Sequence, residues 1–270
     1  MTTEAPLPAY RRLAPVVEAC APVAVAVSGG VDSMTLAFVA QRVLGDGATM
    51  YHAVSPAVPP HATARVERHA AAAGWRLVRV DAGEFGDARY LANPANRCFF
   101  CKQNLYGTLA SATSAQILSG TNLDDLDDWR PGLEAAAEHG VRHPFVEARI
   151  NKDDIRALAR WLGLGALAEL PSAPCLSSRI ETGLPIEAPV LAFIDAAEQL
   201  VRRALGPSTV RCRVREQGIV IELDDKTYAR FDGATEPRVE LEQLAHSSGV
   251  AGTIDFAPYT RGSAFLREAP

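Results

Sequence analysis

Apolar positions follow two rhythms along the chain, and the rhythm changes near residue 186. Before that point, short β-type runs at 24–27, 49–54, 77–80 and 116–118 alternate with stretches of helical spacing at 33–44, 62–73 and about 100–112. Strands that alternate with helices pair in parallel through right-handed crossovers, so this part predicts a doubly wound α/β domain. Asn151 is placed to cap a further helix reaching Leu162, with Gly163 and Gly165 as stop signals. The stretch 170–185 is Pro-rich and reads as a linker that carries chemistry. Beyond it the pattern predicts a long helix over 187–205, an extended pair at 210–214 and 218–223, a helix within 239–246 and a last strand near 252–256. The predicted organisation is an α/β domain over 1–170, a linker over 171–185 and a small α+β domain over 186–270.

Composition narrows the function classes. With 270 residues, 48% of them hydrophobic, and net charge −5, the chain can build a sizeable core. No run approaches the roughly 18 apolar residues of a membrane span, and residues 1–15 lack the pattern of a secretory leader, so a cytoplasmic protein without membrane partners is expected. The acidic balance disfavours a wide nucleic-acid-binding face. Five cysteines, an odd number, do not read as a disulfide framework, which leaves metal binding or thiol chemistry for any with a purpose.

The most informative segment is the strand ending in Ser28-Gly29-Gly30-Val31-Asp32-Ser33. A buried strand that turns directly into a helix brings backbone N–H groups and the positive end of the helix to one point, a nest for phosphate. Gly29 and Gly30 permit positive φ and close approach of the anion, Ser28 and Ser33 offer hydroxyl groups, and Asp32 suits the magnesium that travels with a nucleotide. A bare Ser-Gly-Gly also suits an ordinary strand-to-helix turn. The strand ending at Thr121 has its carboxyl end on the same side of the sheet, where ligands of such folds collect, so Asn122 and Asp125 are expected near the nucleotide and its metal, with Arg130 as a phosphate partner. Asp124, Asp127 and Asp128 also suit a solvated loop. Near the other end, strand alternation places Cys212 with Val210 and Val214, and Arg211, Arg213 and Arg215 on the opposite face. Such a comb of guanidinium groups either meets solvent or clamps a phosphate or carboxylate.

SGGVDS after a strand resembles the PP-loop of the ATP pyrophosphatases, which cleave ATP between its α- and β-phosphates and adenylate a substrate. NPANRCFFCK at 93–102, SGTNLDDLDDWRPGL at 119–133 and APCLSSRI at 173–180 extend the resemblance to the LarE family of ATP-dependent sulfur transferases, which mature the nickel-pincer nucleotide of lactate racemase. The resemblance runs from the PP-loop through the C-terminal domain. It implies ATP with Mg²⁺, a pyridinium dicarboxylate mononucleotide whose ring carboxylate becomes a thiocarboxylate, a sulfide or other sulfur donor, and a homo-oligomer. It also strengthens the anion-clamping reading of Arg211 and Arg213, and points to Arg179 and Glu222 beside the substrate.

Cysteines separate the branches of that family. In one, the residue matching Cys175 gives up its own sulfur. In the other it joins a Cys-x-x-Cys, here Cys98 and Cys101, to hold a [4Fe–4S] cluster with one iron left open for sulfide. The Cys-x-x-Cys pair taken alone also suits a zinc half-site or two inert helix residues. Cys20 and Cys212 read as small core residues. The implied reaction is adenylation of the carboxylate with release of pyrophosphate, then attack by sulfur and departure of AMP. Three rivals stand beside it: a transfer-RNA thiolation enzyme, which should add zinc-binding Cys pairs or a basic RNA-binding domain; an amidating synthetase, which would not need the three cysteines; and a non-enzymic AMP or iron–sulfur sensor.

Overall fold

Four parallel strands, β1 (Val23–Ala26), β2 (Ala48–Ala53), β3 (Arg76–Val80) and β4 (Gln116–Leu118), form one sheet in the order β3-β2-β1-β4. In this computed structural model the described residues are 7–127, 129–172, 174–231 and 235–265. The helices over the same stretch of chain are α1 (Pro8–Glu18), α2 (Val31–Leu44), α3 (Pro60–Ala73), α4 (Ala88–Leu91), α5 (Arg97–Ala112), α6 (Gly132–Glu138), α7 (Pro144–Glu147), α8 (Lys152–Trp161) and α9 (Gly165–Ala168). The chain then continues through α10 (Ala188–Leu205), β5 (Val210–Arg215), β6 (Gly218–Leu223), α11 (Asp225–Arg230), α12 (Thr235–Ser247) and β7 (Ile254–Pro258).

Two units divide these elements, one built from residues up to 87 and 98–173, the other from 88–97 and 174 onward. The first is the expected α/β sheet with its strands within a residue or two of the predicted positions. Alternation along β1 sorts its side chains: Val23 and Val25 join a core with Leu13, Leu36, Met50, Phe145 and Leu158, whereas Ala24 packs on the opposite face with Tyr106, Leu109 and Ile117. Both faces of a parallel sheet are thereby covered. Helix α1, which the sequence reading did not anticipate, buries Ala9, Leu13 and Val17 at four-residue intervals, and each fully buried Leu or Val contributes roughly 1.5–3 kcal/mol. Among the described residues no helix is long and apolar enough to cross a membrane.

The second unit pairs β5 antiparallel with β6 and β6 parallel with β7, beside α10. The short excursion 88–97 is stitched into it. Tyr90 Oη lies 2.6 Å from Ser177 Oγ, Asn93 Nδ2 donates to the Glu181 carbonyl at 2.8 Å, and the Gly183 amide donates to the Asn93 carbonyl at 2.9 Å. Arg97, fully buried, donates to Asn93 Oδ1 at 2.9 Å and covers the ring of Phe265.

Candidate functional site

The last hydrogen bond of β1 is the Val27 amide to the Tyr51 carbonyl at 2.8 Å, and the chain then enters the Ser-Gly-Gly turn. Gly29 has φ +82°, and a Cβ there would sit 2.9 Å from the Ala62 carbonyl oxygen, so both the dihedral and the space call for glycine. Gly30 departs from the expectation of positive φ. Its backbone is extended, at φ −80°, and a Cβ would meet only Ser28 Oγ at 3.6 Å. What Gly30 offers is open space ahead of α2. The Ser33 hydroxyl folds back over the turn, accepting from the Ser28 amide at 3.0 Å and lying 3.1 Å from Ser28 Oγ. No side chain caps α2, and its first-turn amides have no intrahelical acceptor. The turn after β4 closes on the same point: a Cβ on Gly120 would lie 2.7 Å from the Ser33 nitrogen. A cleft of about 410 Å³ beside Pro22 and Gln116 lies at the other end of the strands.

Both carboxylate oxygens of Asp32 accept from Lys152 Nζ, at 2.6 and 2.5 Å. Lys152 is the first residue of α8, whose Asn151 cap accepts from the Asp154 amide as expected, and its own amide donates to Asp124 Oδ2 at 2.9 Å. Burial pushes the Asp32 carboxyl above its ordinary range, Lys152 draws it back, and the negative charge of nearby Asp125 pushes it up again. In the acidic loop, Asp125 Oδ2 accepts from the backbone and side-chain nitrogens of Asn122 at 3.1 and 3.0 Å, and Arg130 pairs with Asp125 at 2.7 Å. Asp127 is exposed, and Asp128 lies outside the described residues. Two mutually repelling carboxylates beside an anion nest are hard oxygen donors of the kind magnesium uses alongside phosphate, so the donor set fits that ion.

Cys98 and Cys101 stand one turn apart on one face of α5, half-buried. The end of the acidic loop packs on that turn, since a Cβ on Gly132 would lie 3.4 Å from the Cys98 carbonyl oxygen. Cys175, in the second unit, is exposed at the start of the 3-10 turn Leu176–Arg179. None of the five cysteines is joined in a disulfide, and Cys20 and Cys212 are buried in the cores. Burial pushes the Cys212 thiol far up, which keeps it inert. Among the described residues no three His, Cys, Asp or Glu side chains form a ready metal site. The thiol set of the Cys-x-x-Cys and of exposed Cys175 has the softness that iron–sulfur ligation requires.

The second unit gathers arginines around two carboxylates. Arg179 Nε donates to Glu198 Oε1 at 2.9 Å, Arg202 meets Glu198 Oε2 at 3.1 Å, and the Cys212 amide donates to Glu198 Oε1 at 3.2 Å. Burial pushes the Glu198 carboxyl up, but Arg179, Arg211 and Arg202 together hold it below its ordinary value. Arg213 and Arg215 pair with Glu222 at 2.9 and 3.0 Å, and the Ser263 hydroxyl donates to the same carboxylate. Arg179 NH1 also donates to the Pro174 and Cys175 carbonyls, at 2.5 and 2.9 Å, and Arg213 NH1 to the Ser178 carbonyl at 3.0 Å, so these guanidinium groups brace the Cys175 turn. Arg211 and Arg213 are 7% and 4% exposed, which removes the solvated-face reading for both. Arg211 donates to the Val210 carbonyl at 2.7 Å and lies over the Tyr259 ring. Its pKa is lowered by burial and by the neighbouring Arg179 charge.

No family model matches the chain. It is 39% identical over 211 residues to the uncharacterized protein slr1717 of Synechocystis, spanning 77% of this chain and 78% of that one. It is 32% identical over 214 residues to the pyridinium-3,5-bisthiocarboxylic acid mononucleotide synthase of Lactiplantibacillus plantarum, spanning 77% of each. The chain belongs to the LarE family. The uncharacterized protein MJ0830 of Methanocaldococcus jannaschii is 28% identical over 154 residues, 56% of this chain and 57% of that one.

In this LarE-family chain the anticipated residues fall into two groups. The first unit brings together Ser28, Gly29, Gly30, Asp32, Ser33, Asn122, Asp125 and Arg130, with Cys98 and Cys101 on α5; the second holds Cys175, Arg179, Arg211, Arg213 and Glu222. Two residues went unanticipated. Lys152 carried only the signal of following a helix cap. Glu198 looked like one more polar position on a long helix. His143, a candidate zinc ligand whose spacing did not recommend it, has its Nδ1 2.7 Å from Ser119 Oγ just beyond β4.

Proposed function

We propose that this chain is an ATP-dependent sulfur transferase that converts a ring carboxylate of a pyridinium dicarboxylate mononucleotide to a thiocarboxylate, with release of AMP and pyrophosphate. The observation that carries this reading is the anion nest at Ser28–Ser33 with Asp32 and Asp125 beside it, in a chain 32% identical to a synthase of the bisthiocarboxylic acid mononucleotide. The first-turn amides of α2 and the serine hydroxyls bind the triphosphate, and Asp32 and Asp125 would hold its magnesium, which would supply charge neutralisation at the departing pyrophosphate. Lys152, on the Asp32 carboxylate, would add positive charge beside the phosphate oxygens. A carboxylate oxygen of the substrate attacks the α-phosphorus and the bond to pyrophosphate breaks. Sulfur as hydrosulfide then attacks the acyl carbon, AMP leaves with the bonding pair, and the thiol proton passes to solvent.

For the sulfur, Cys98, Cys101 and Cys175 are the residues that would hold a [4Fe–4S] cluster. Such a cluster, when bound, supplies an iron position open to sulfide. The second reading rests on Cys175 being exposed while Cys98 and Cys101 are half-buried. In that reading the Cys175 thiolate forms the thioester, its Cβ–Sγ bond then breaks with loss of the α-proton, and dehydroalanine remains. Arg211 and Arg213, with Arg179, would hold the phosphate and carboxylates of the substrate, with Glu222 beside it orienting Arg213. We place the protein in the cytoplasm as a homo-oligomer, in keeping with the family resemblance and with five cysteines outside any disulfide.

Anaerobic purification with absorbance, iron and sulfide assays, and a turnover count under added sulfide, test this reading. Brown protein that forms AMP and several thiocarboxylates per chain, with Cys175 intact by mass, is the expected result. A colourless single-turnover chain lighter by one H₂S at Cys175 transfers the assignment to the sacrificial route. Absence of AMP formation with the mononucleotide present overturns the transferase reading.

A further inference from the structure

The phosphate turn is held from behind by one turn of a single helix. Arg65 of α3 donates from NH1 to the Gly29 carbonyl at 2.8 Å. Two residues earlier in the same turn, Thr63 Oγ1 lies 2.9 Å from His52 Nε2, and the other ring nitrogen of that buried histidine lies 2.9 Å from the Val27 carbonyl. Burial lowers the His52 pKa, so the ring is neutral, with Nδ1–H donating to Val27 and Nε2 accepting from Thr63. Ala62, in the same turn of α3, supplies the carbonyl that would collide with a side chain at Gly29.

The bond from Arg65 matters because of where it falls. The peptide between Gly29 and Gly30 has no Cβ on either side, so flipping it meets little steric resistance. A trans peptide points its C=O and N–H in opposite directions. With the Gly29 carbonyl tied back to Arg65, the Gly30 N–H points away from that bond, to the side on which Ser28 Oγ lies 3.5 Å from the nitrogen, too far for more than a weak bond. Flipped, the same peptide would present a carbonyl oxygen to an incoming phosphate, exchanging a donor for a repelling acceptor. A charge-assisted bond to the carbonyl selects the donor-forward state.

We infer that Arg65 is a positioning residue for the phosphates of the nucleotide, acting through the Gly29–Gly30 peptide without touching the ligand. The inference rests on the nucleotide reading of Ser28–Ser33. Its test measures MgATP affinity by calorimetry for the wild type, Arg65→Ala, Arg65→Gln and Arg65→Lys, and amide proton exchange at Gly30 by NMR in the nucleotide-free protein. Arg65→Ala should bind MgATP about ten- to thirtyfold more weakly, with faster exchange at Gly30. Arg65→Gln, which keeps a donor and loses the charge, should recover affinity to within about threefold of wild type, with an unchanged salt dependence. Wild-type affinity in Arg65→Ala, or Arg65→Gln as weak as Arg65→Ala with the loss confined to low salt, would overturn the inference, the latter in favour of direct contact between charge and phosphate. A wild type with no affinity for MgATP sinks the nucleotide reading instead, and Gly30 exchange then decides alone whether Arg65 fixes the peptide.

Discussion

The phosphate turn and the arginine cluster both concentrate positive charge, by opposite means. At Ser28–Ser33 the charge is partial and belongs to the backbone: amides at the head of α2, a glycine at φ +82°, and serine hydroxyls folded over the turn. Around Glu198 and Glu222 the charge is formal and belongs to side chains, with Arg179 and Arg213 almost fully buried and each carboxylate shared by two arginines. A backbone site is damaged by adding atoms, because nothing in it can move aside. A side-chain site is damaged by removing them, because every buried charge depends on its partner.

The largest effect on activity should follow from Gly120→Val. Its Cβ would meet the Ser33 nitrogen at 2.7 Å and the Ser33 Cα at 2.9 Å, and those backbone atoms have nowhere to go. AMP formation should fall at least about a hundredfold, equivalent to roughly 2.7 kcal/mol of lost binding or transition-state stabilisation. Gly30→Ala, with 3.6 Å of room, should by contrast leave the melting temperature unchanged while weakening MgATP, and a melting temperature lowered as far as that of Gly120→Val would contradict the distinction drawn between the two glycines.

Next comes Glu198→Ala in the other region. It leaves Arg179 and Arg202 without their carboxylate and should cost about 3–5 kcal/mol in urea unfolding, whereas Glu198→Gln, which keeps the side chain's volume and one acceptor oxygen, should cost less. Equal losses would show that the charge alone, with no share from packing or the remaining acceptor, holds the cluster.

Smallest, and sharpest for the chemistry, is Lys152→Met. The Asp32 carboxyl already lies above the usual aspartate value of about 3.9 because of burial, and Lys152 is the main force drawing it down. Metal binding needs the ionised form, so MgATP affinity falls as pH drops through that raised pKa. Without Lys152 the pKa rises further, and the acid limb of the binding profile should move to higher pH. An acid limb that stays in place in Lys152→Met would break the link between this ion pair and the metal.

Strand, turn and helix around SGGVDS were legible because each is a local event. Apolar runs choose the strand, Gly29 permits the turn, and the helix starts just after Gly30. The cap at Asn151 was legible for the same reason, since its partner Asp154 is three residues away. Alternation along β5 correctly separated Arg211 and Arg213 from Cys212, yet gave no hint that the arginine face is buried as well. Alternation assigns a side of a sheet and says nothing of what covers it.

The sequence by itself determined the α/β order of elements, the strand-to-helix turn at Ser28–Ser33, the Cys-x-x-Cys on one helix face and the residues that mark the family, all of them properties of neighbours in the chain. Only the tertiary structure decided the pairings. Lys152 reaches Asp32 across 120 residues, Arg65 reaches Gly29 across 36, and Glu198 meets Arg179 across 19. Such contacts depend on how helices pack onto strands, and a charged residue carries no local signal of which opposite charge or carbonyl the packing will bring to it.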